Sequence, residues 1–91
     1  GANTVTNMID VSSVTSGTSG AGMYLVTMVR DGGSFGIHFV GIFGVSTAEV
    51  VLYETLQSQN ATISVSGTVI RASFPTADTY DTNMIPLSID G

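Results

Sequence analysis

The chain has 91 residues and only two basic side chains, Arg30 and Arg71, against seven acids, for a net charge of −5. This balance argues against nucleic acid, which needs a basic footprint, and against anionic membrane surfaces. The absence of cysteine removes disulfides, thiolate chemistry and Cys-His zinc sites.

Charged residues make up 10% of the chain, against about 25% in ordinary soluble domains. The surface is therefore one of hydroxyls and amides. A domain this small buries a little over ~60% of its unfolded surface, and unstapled small chains often associate instead. No apolar run approaches the ~18 residues of a membrane span, and no signal peptide is visible. The start at Gly1-Ala2, without Met, suggests a fragment or processed product. One domain over 1–91 is expected, with 1–21 a possible lead-in to an upstream stem.

Residues 3–11 (NTVTNMIDV) read as a first strand with Val5, Ile9 and Val11 as its apolar positions. Residues 12–22 are rich in Ser, Thr and Gly and read as a loop, a domain linker being the alternative. Strands at 22–30 and 35–43 flank Asp31-Gly32-Gly33-Ser34, a strong hairpin signal. A two-residue loop puts Met28 opposite Phe35, Val26 opposite Ile37 and Tyr24 opposite Phe39. A four-residue loop shifts these partners by two and keeps the faces, because the side-chain period is two. One face then carries Tyr24, Val26, Met28, Phe35, Ile37, Phe39 and Phe43. The other carries Met23, Leu25, Thr27, Val29, His38, Val40 and Ile42. An antiparallel sheet with one wet side should be polar there. This second face is mostly apolar, so a cover is expected, and in a short chain a second subunit is one source of it.

Gly44–Thr47 reads as a turn. Residues 48–56 (AEVVLYETL) mix helix formers with β-branched residues, and the short spacing favours strand. Residues 61–65 and 68–74 form a second hairpin around Ser66-Gly67, with Val65 opposite Thr68, Ile63 opposite Ile70 and one apolar face. Pro75 ends the strand, 75–83 is a polar loop, and 84–90 is a last strand with Ile85, Leu87 and Ile89 facing in. About seven short strands with regular turns predict an antiparallel, jelly-roll-like β-sandwich.

Chemistry is sparse. His38 is the only histidine, and a triad needs a nucleophile beside it and a carboxylate behind it. Its mid-strand position predicts a packed interface histidine. Asp78 and Asp81 lack the alternating pattern of a calcium loop and read as turn residues bonding their own backbone. Asn60-Ala61-Thr62 is a sequon. Tyr80, in a loop with Asp78, Thr79, Asp81, Thr82 and Asn83, is the leading exposed candidate, an aromatic beside carboxylate and amide groups, the combination that holds sugars. The rival is a Tyr tucked onto the sandwich edge. No catalytic residue, metal site or cofactor is expected.

The Ser/Gly-rich lead, GMYLVTMVR at 22–30, ATISVSGTVIRASF at 61–74 and IPLSID at 85–90 together resemble the C-terminal domain of bacteriophage tail fibres and tailspikes. The likeness runs over roughly residues 8–90 and lies in the order and spacing of strand patterns. It implies a small β-sandwich, trimeric at the distal tip of a virion fibre. Such a tip binds a host saccharide or protein, or holds the trimer together. It supplies no binding residues, so the glycan candidates remain Asp78, Tyr80, Asp81 and Asn83, and the trimer-interface candidates Leu25, His38, Val40 and Ile42. A monomeric bacterial adhesin or cell-wall module is the alternative, and a hydrolase fragment a more distant one.

Overall fold

Alternation of apolar and polar residues yields strands wherever it persists for five residues or more. In the computed structural model, which describes residues 2–13, 21–31, 36–46 and 49–89, seven strands follow in order. They are β1 (Thr6–Asp10), β2 (Gly22–Asp31), β3 (Gly36–Val45), β4 (Val50–Ser58), β5 (Thr62–Ser66), β6 (Val69–Ser73) and β7 (Thr79–Ile89). One 3-10 turn, Val11–Ser13, follows β1. The ambiguous segment after residue 48 is strand, because β4 pairs with β3 from Val50 to Ser58.

The strands form two antiparallel sheets, of order β1-β6-β5 and β4-β3-β2-β7. A single apolar cluster lies between them. Val11, Ile70, Ala72 and Phe74 come from the three-stranded side, and Tyr24, Val26, Met28, Phe39, Phe43, Val45 and Val50 from the four-stranded side. No buried polar or charged residue interrupts it among the described residues. The fold is thus all-β and sandwich-like, with one dry seam.

The central hairpin keeps Tyr24, Val26, Met28, Phe39 and Phe43 of its predicted inner face, but not Ile37 and not its predicted pairing. Tyr24 faces Phe43, and Phe39 faces Met28. Between Met28 and Val29 the partner jumps from Phe39 to Ile37, leaving His38 as a bulged residue. A bulge puts two residues against one and re-aims a side chain. Ile37 consequently pairs with Val29, on the face opposite to the one expected. Gly32 to Phe35, and with them most of the predicted turn, lie outside the described residues, as do Thr47 in the next turn and Asp90 at the end.

Glycines on β3 make room for rings on both faces. A Cβ at Gly41 would lie 2.5 Å from the Phe39 ring, and one at Gly44 would lie 2.3 Å from the Tyr53 ring. Each ring covers a stretch of backbone that a side chain would otherwise occupy.

The second hairpin turns one residue later than expected. Ser66 faces Val69, Val65 faces Ile70 and Ile63 faces Ala72, so the loop is Gly67-Thr68. Gly67 sits at φ +60°, in the first central position where a type II′ turn wants glycine. The two-residue shift preserves the apolar face, which buries Ile70 and Ala72. Asp10 ties this turn to β1 by accepting hydrogen bonds from the Thr68 hydroxyl at 2.8 Å and the Ser12 hydroxyl at 2.7 Å.

The last strand departs most from expectation. β7 begins at Thr79, inside the predicted polar loop, because it pairs with β2 along its whole length, from Asp31↔Thr79 to Gly22↔Ile89. Ile85 and Leu87 do not face in: they are 48% and 53% exposed. Ile85 stands opposite Leu25 and Met84 opposite Val26, so Met84 is the residue that packs against the core. Pro86 lies on this edge strand, beside a register shift at Met23/Tyr24, where its missing N–H costs least.

Candidate functional site

Two surfaces carry the sequence-predicted site residues, and they lie on opposite sides of the four-stranded sheet. The inner one is built around Phe74. Pro75 ends β6 and holds Phe74 extended, and the Phe74 carbonyl accepts the Asn3 N–H at 2.7 Å. The chain then crosses to β7. Tyr80 stacks on Phe74 with ring centroids 3.8 Å apart and planes 14° apart, and its hydroxyl donates to the Thr76 carbonyl at 2.8 Å. His38, turned by the bulge, meets the Tyr80 ring edge-on at 5.1 Å and the Phe74 ring at 6.1 Å.

His38 therefore leaves the Leu25, Val40 and Ile42 face on which alternation places it. Its ring sits against the aromatic pair between the sheets, and its Nδ1 is buried without a hydrogen-bond partner among the described residues. Tyr80 lies on a strand rather than in a loop, half-buried, with one ring face taken by Phe74.

Asp78 precedes β7 and closes this end of the sandwich. Its carboxylate accepts the Thr79 N–H at 2.8 Å and is paired with the Arg30 guanidinium. These contacts hold the Asp78 carboxyl below its ordinary value, the Thr79 N–H contributing most and Arg30 next, with a smaller pull from His38. Asp81 and Asn83 are not with it. They stand opposite Val29 and Thr27, on the far face of the sheet. The four glycan candidates thus divide into Asp78 with Tyr80 inside and Asp81 with Asn83 outside.

A cleft of about 280 Å³ opens beside Tyr80, between the edge strands β1 and β7. Thr4, Thr6 and Asn7 contribute from one side, and Thr76, Asp78 and Thr79 from the other. Sequence reasoning missed the β1 residues. Their only signal was a run of Thr and Asn with no apolar duty, more than sixty residues from Tyr80.

The outer face of the four-stranded sheet carries Met23, Leu25, Thr27 and Val29 on β2, and Ile37, Val40 and Ile42 on β3. No described segment covers it, and the one charge that alternation puts on this face of its two central strands is Asp31, at the very end of β2. Charged and amide groups come at its borders: Glu54 and Gln57 on β4, Asp81 and Asn83 on β7. Tyr53, 66% exposed, lies over Gly44 on this side.

Among the described residues no three His, Asp or Glu side chains come together as a metal site, and no helix is long and apolar enough to cross a membrane. No protein-family model matches the chain, and neither does any curated protein or solved structure.

Proposed function

We propose that this chain is a non-enzymatic tip domain of a phage tail fibre or tailspike, a jelly-roll-like module. It self-associates as a homotrimer and contributes to attachment at a host surface. The observation that supports this reading best is the apolar outer face of β2 and β3. An apolar centre depleted of charge within a polar rim is the anatomy of a protein interface, and exposed apolar patches of this kind mark association surfaces. Leu25, Val40 and Ile42 form the centre of that contact. His38, aimed into the sandwich, supports it from behind rather than touching the partner.

The resemblance in the strand patterns and the low charge point the same way. Three weak receptor sites on one rigid body bind a surface far more tightly than one does, which gives trimerisation a role in attachment. On this reading the domain sits at the virion's exterior and its partners are copies of itself and a host saccharide or protein.

Sedimentation equilibrium across a range of concentrations tests the proposal. The expected result is a stable mass three times 9.4 kDa. A monomer at every concentration overturns it and favours a monomeric adhesin or cell-wall module.

A further inference from the structure

We propose that the cleft between β1 and β7 is a subsite for one neutral, hydroxylated ring, a pyranose unit of a glycan chain. The proposal deepens the attachment half of the function above and rests on it. At about 280 Å³ the cleft lies at the small end of ligand sites, which suits one ring rather than an extended chain segment.

The polar lining offers both hydrogen-bonding senses. Asp78 accepts only. Asn7 receives the Arg71 Nε–H on its Oδ1 at 2.9 Å, which identifies the carbonyl end of the amide and leaves the NH2 group to donate. The hydroxyls of Thr4, Thr76 and Thr79 can do either. A sugar hydroxyl also donates and accepts, so this mixture matches it group for group. Met8 and the stacked Phe74 and Tyr80 supply the apolar lining for the C–H face of a ring.

Charge decides which class of sugar. The chain has two arginines: Arg30 is paired with the Asp78 carboxylate, and Arg71 donates its Nε–H to the neutral Asn7 amide and keeps its charge. Neither arginine is among the residues that line the cleft, so the lining offers no cation to a phosphate, a sulfate or a carboxylated sugar. Asp78 in turn is neutralised by Arg30, so a cationic ligand gains little. The arginines act as positioning residues, each fixing one polar group at the rim of a cleft whose own lining holds no cation.

The test is a titration of the 15N-labelled full chain, followed amide by amide in NMR spectra. The probes are methyl glucoside, methyl galactoside, methyl N-acetylglucosaminide and N-acetylneuraminic acid. At least one neutral probe is expected to give saturable shifts in the amides of residues 4–8 and 76–80, with a dissociation constant of about 1 mM. Asn7→Ala and Thr79→Val should each weaken binding about three- to tenfold, with spectra otherwise unchanged. Thr79→Val keeps the Arg71 contact intact and so guards against a folding defect in Asn7→Ala.

Absence of shifts with all three neutral probes overturns the proposal. So do shifts confined to other strands, tighter binding of N-acetylneuraminic acid, or unchanged affinity in both variants. The mass of the same sample separates this failure from that of the tip-domain reading. A trimer without shifts removes the cleft and keeps the association. Shifts on a monomer keep the cleft and remove the trimer.

Discussion

Single residues show where the sandwich is over- and under-satisfied. Thr82 is on the inner face opposite Met28, and its hydroxyl is buried with no partner among the described residues. A buried unpaired hydroxyl costs about 1–3 kcal/mol, and Val has nearly the same shape. Thr82→Val should therefore raise stability by about 1 kcal/mol in urea unfolding. A lower midpoint would mean that the hydroxyl has a partner after all. Gly67 presents the opposite case. A Cβ there meets nothing within 4 Å, but φ is +60°, so Gly67→Ala should lose about 1 kcal/mol purely through backbone strain. Asp78 gives a pH dependence with a definite sign. Its folded value lies below the ordinary 3.8, so the unfolded chain takes up its proton first. The stability it confers is complete above that ordinary value and is lost as pH falls through the lower folded one. The thermal unfolding midpoint of the wild type should fall more steeply than that of Asp78→Asn as the pH drops below about 4. Parallel slopes would remove Asp78 from the acid response.

At the scale of the element, β3 governs the molecule. Its two glycines look alike in sequence and differ in consequence. Gly41 faces Phe39, which is 1% exposed and locked in the core, with the Glu54 carbonyl 3.1 Å from the Cβ position. Gly41→Ala should therefore cost about 1–3 kcal/mol by overpacking. Gly44 faces Tyr53, which is 66% exposed and free to swing aside, so Gly44→Ala should change stability by less than about 0.5 kcal/mol. Equal losses in the two variants would refute the distinction between a held ring and a loose one. The bulge at His38 is the other feature of this strand. Alternation across GIHFVGIF places His38 with Val40 and Ile42, and one unpaired residue moves it to the aromatic pair instead. The alternation of the strand does not mark that bulge, which falls just beyond the pairing of Phe39 with Met28.

For the whole molecule the question is what covers the outer face. Leu25 lies at its centre, between Ile42 and Ile85, and contributes nothing to the dry seam. Leu25→Asp should leave the monomer folded, with an unchanged circular dichroism spectrum. It should weaken association by about 3–5 kcal/mol, the cost of an unpaired buried charge. A trimer that survives Leu25→Asp would move the interface elsewhere. Phe39 makes no comparable probe, since its side chain is part of the core and its truncation would test folding.

Composition and period by themselves determined the class of this protein. Seven strands, two hairpins and the apolar inner face of Tyr24, Val26 and Met28 follow from alternation and turn residues, which act over a few positions. Register, bulges and the start of β7 did not. Thr79 to Asn83 is polar and looks like a loop, yet it is strand because β2 offers it a full-length partner. The cleft was equally hidden. It joins Thr4, Thr6 and Asn7 to Thr76, Asp78 and Thr79, residues with no relation in sequence, and it exists only because β1 and β7 are the neighbouring edges of two stacked sheets. Strand identity is a local property of side-chain pattern, whereas pairing and clefts depend on contacts between segments that sequence distance keeps apart.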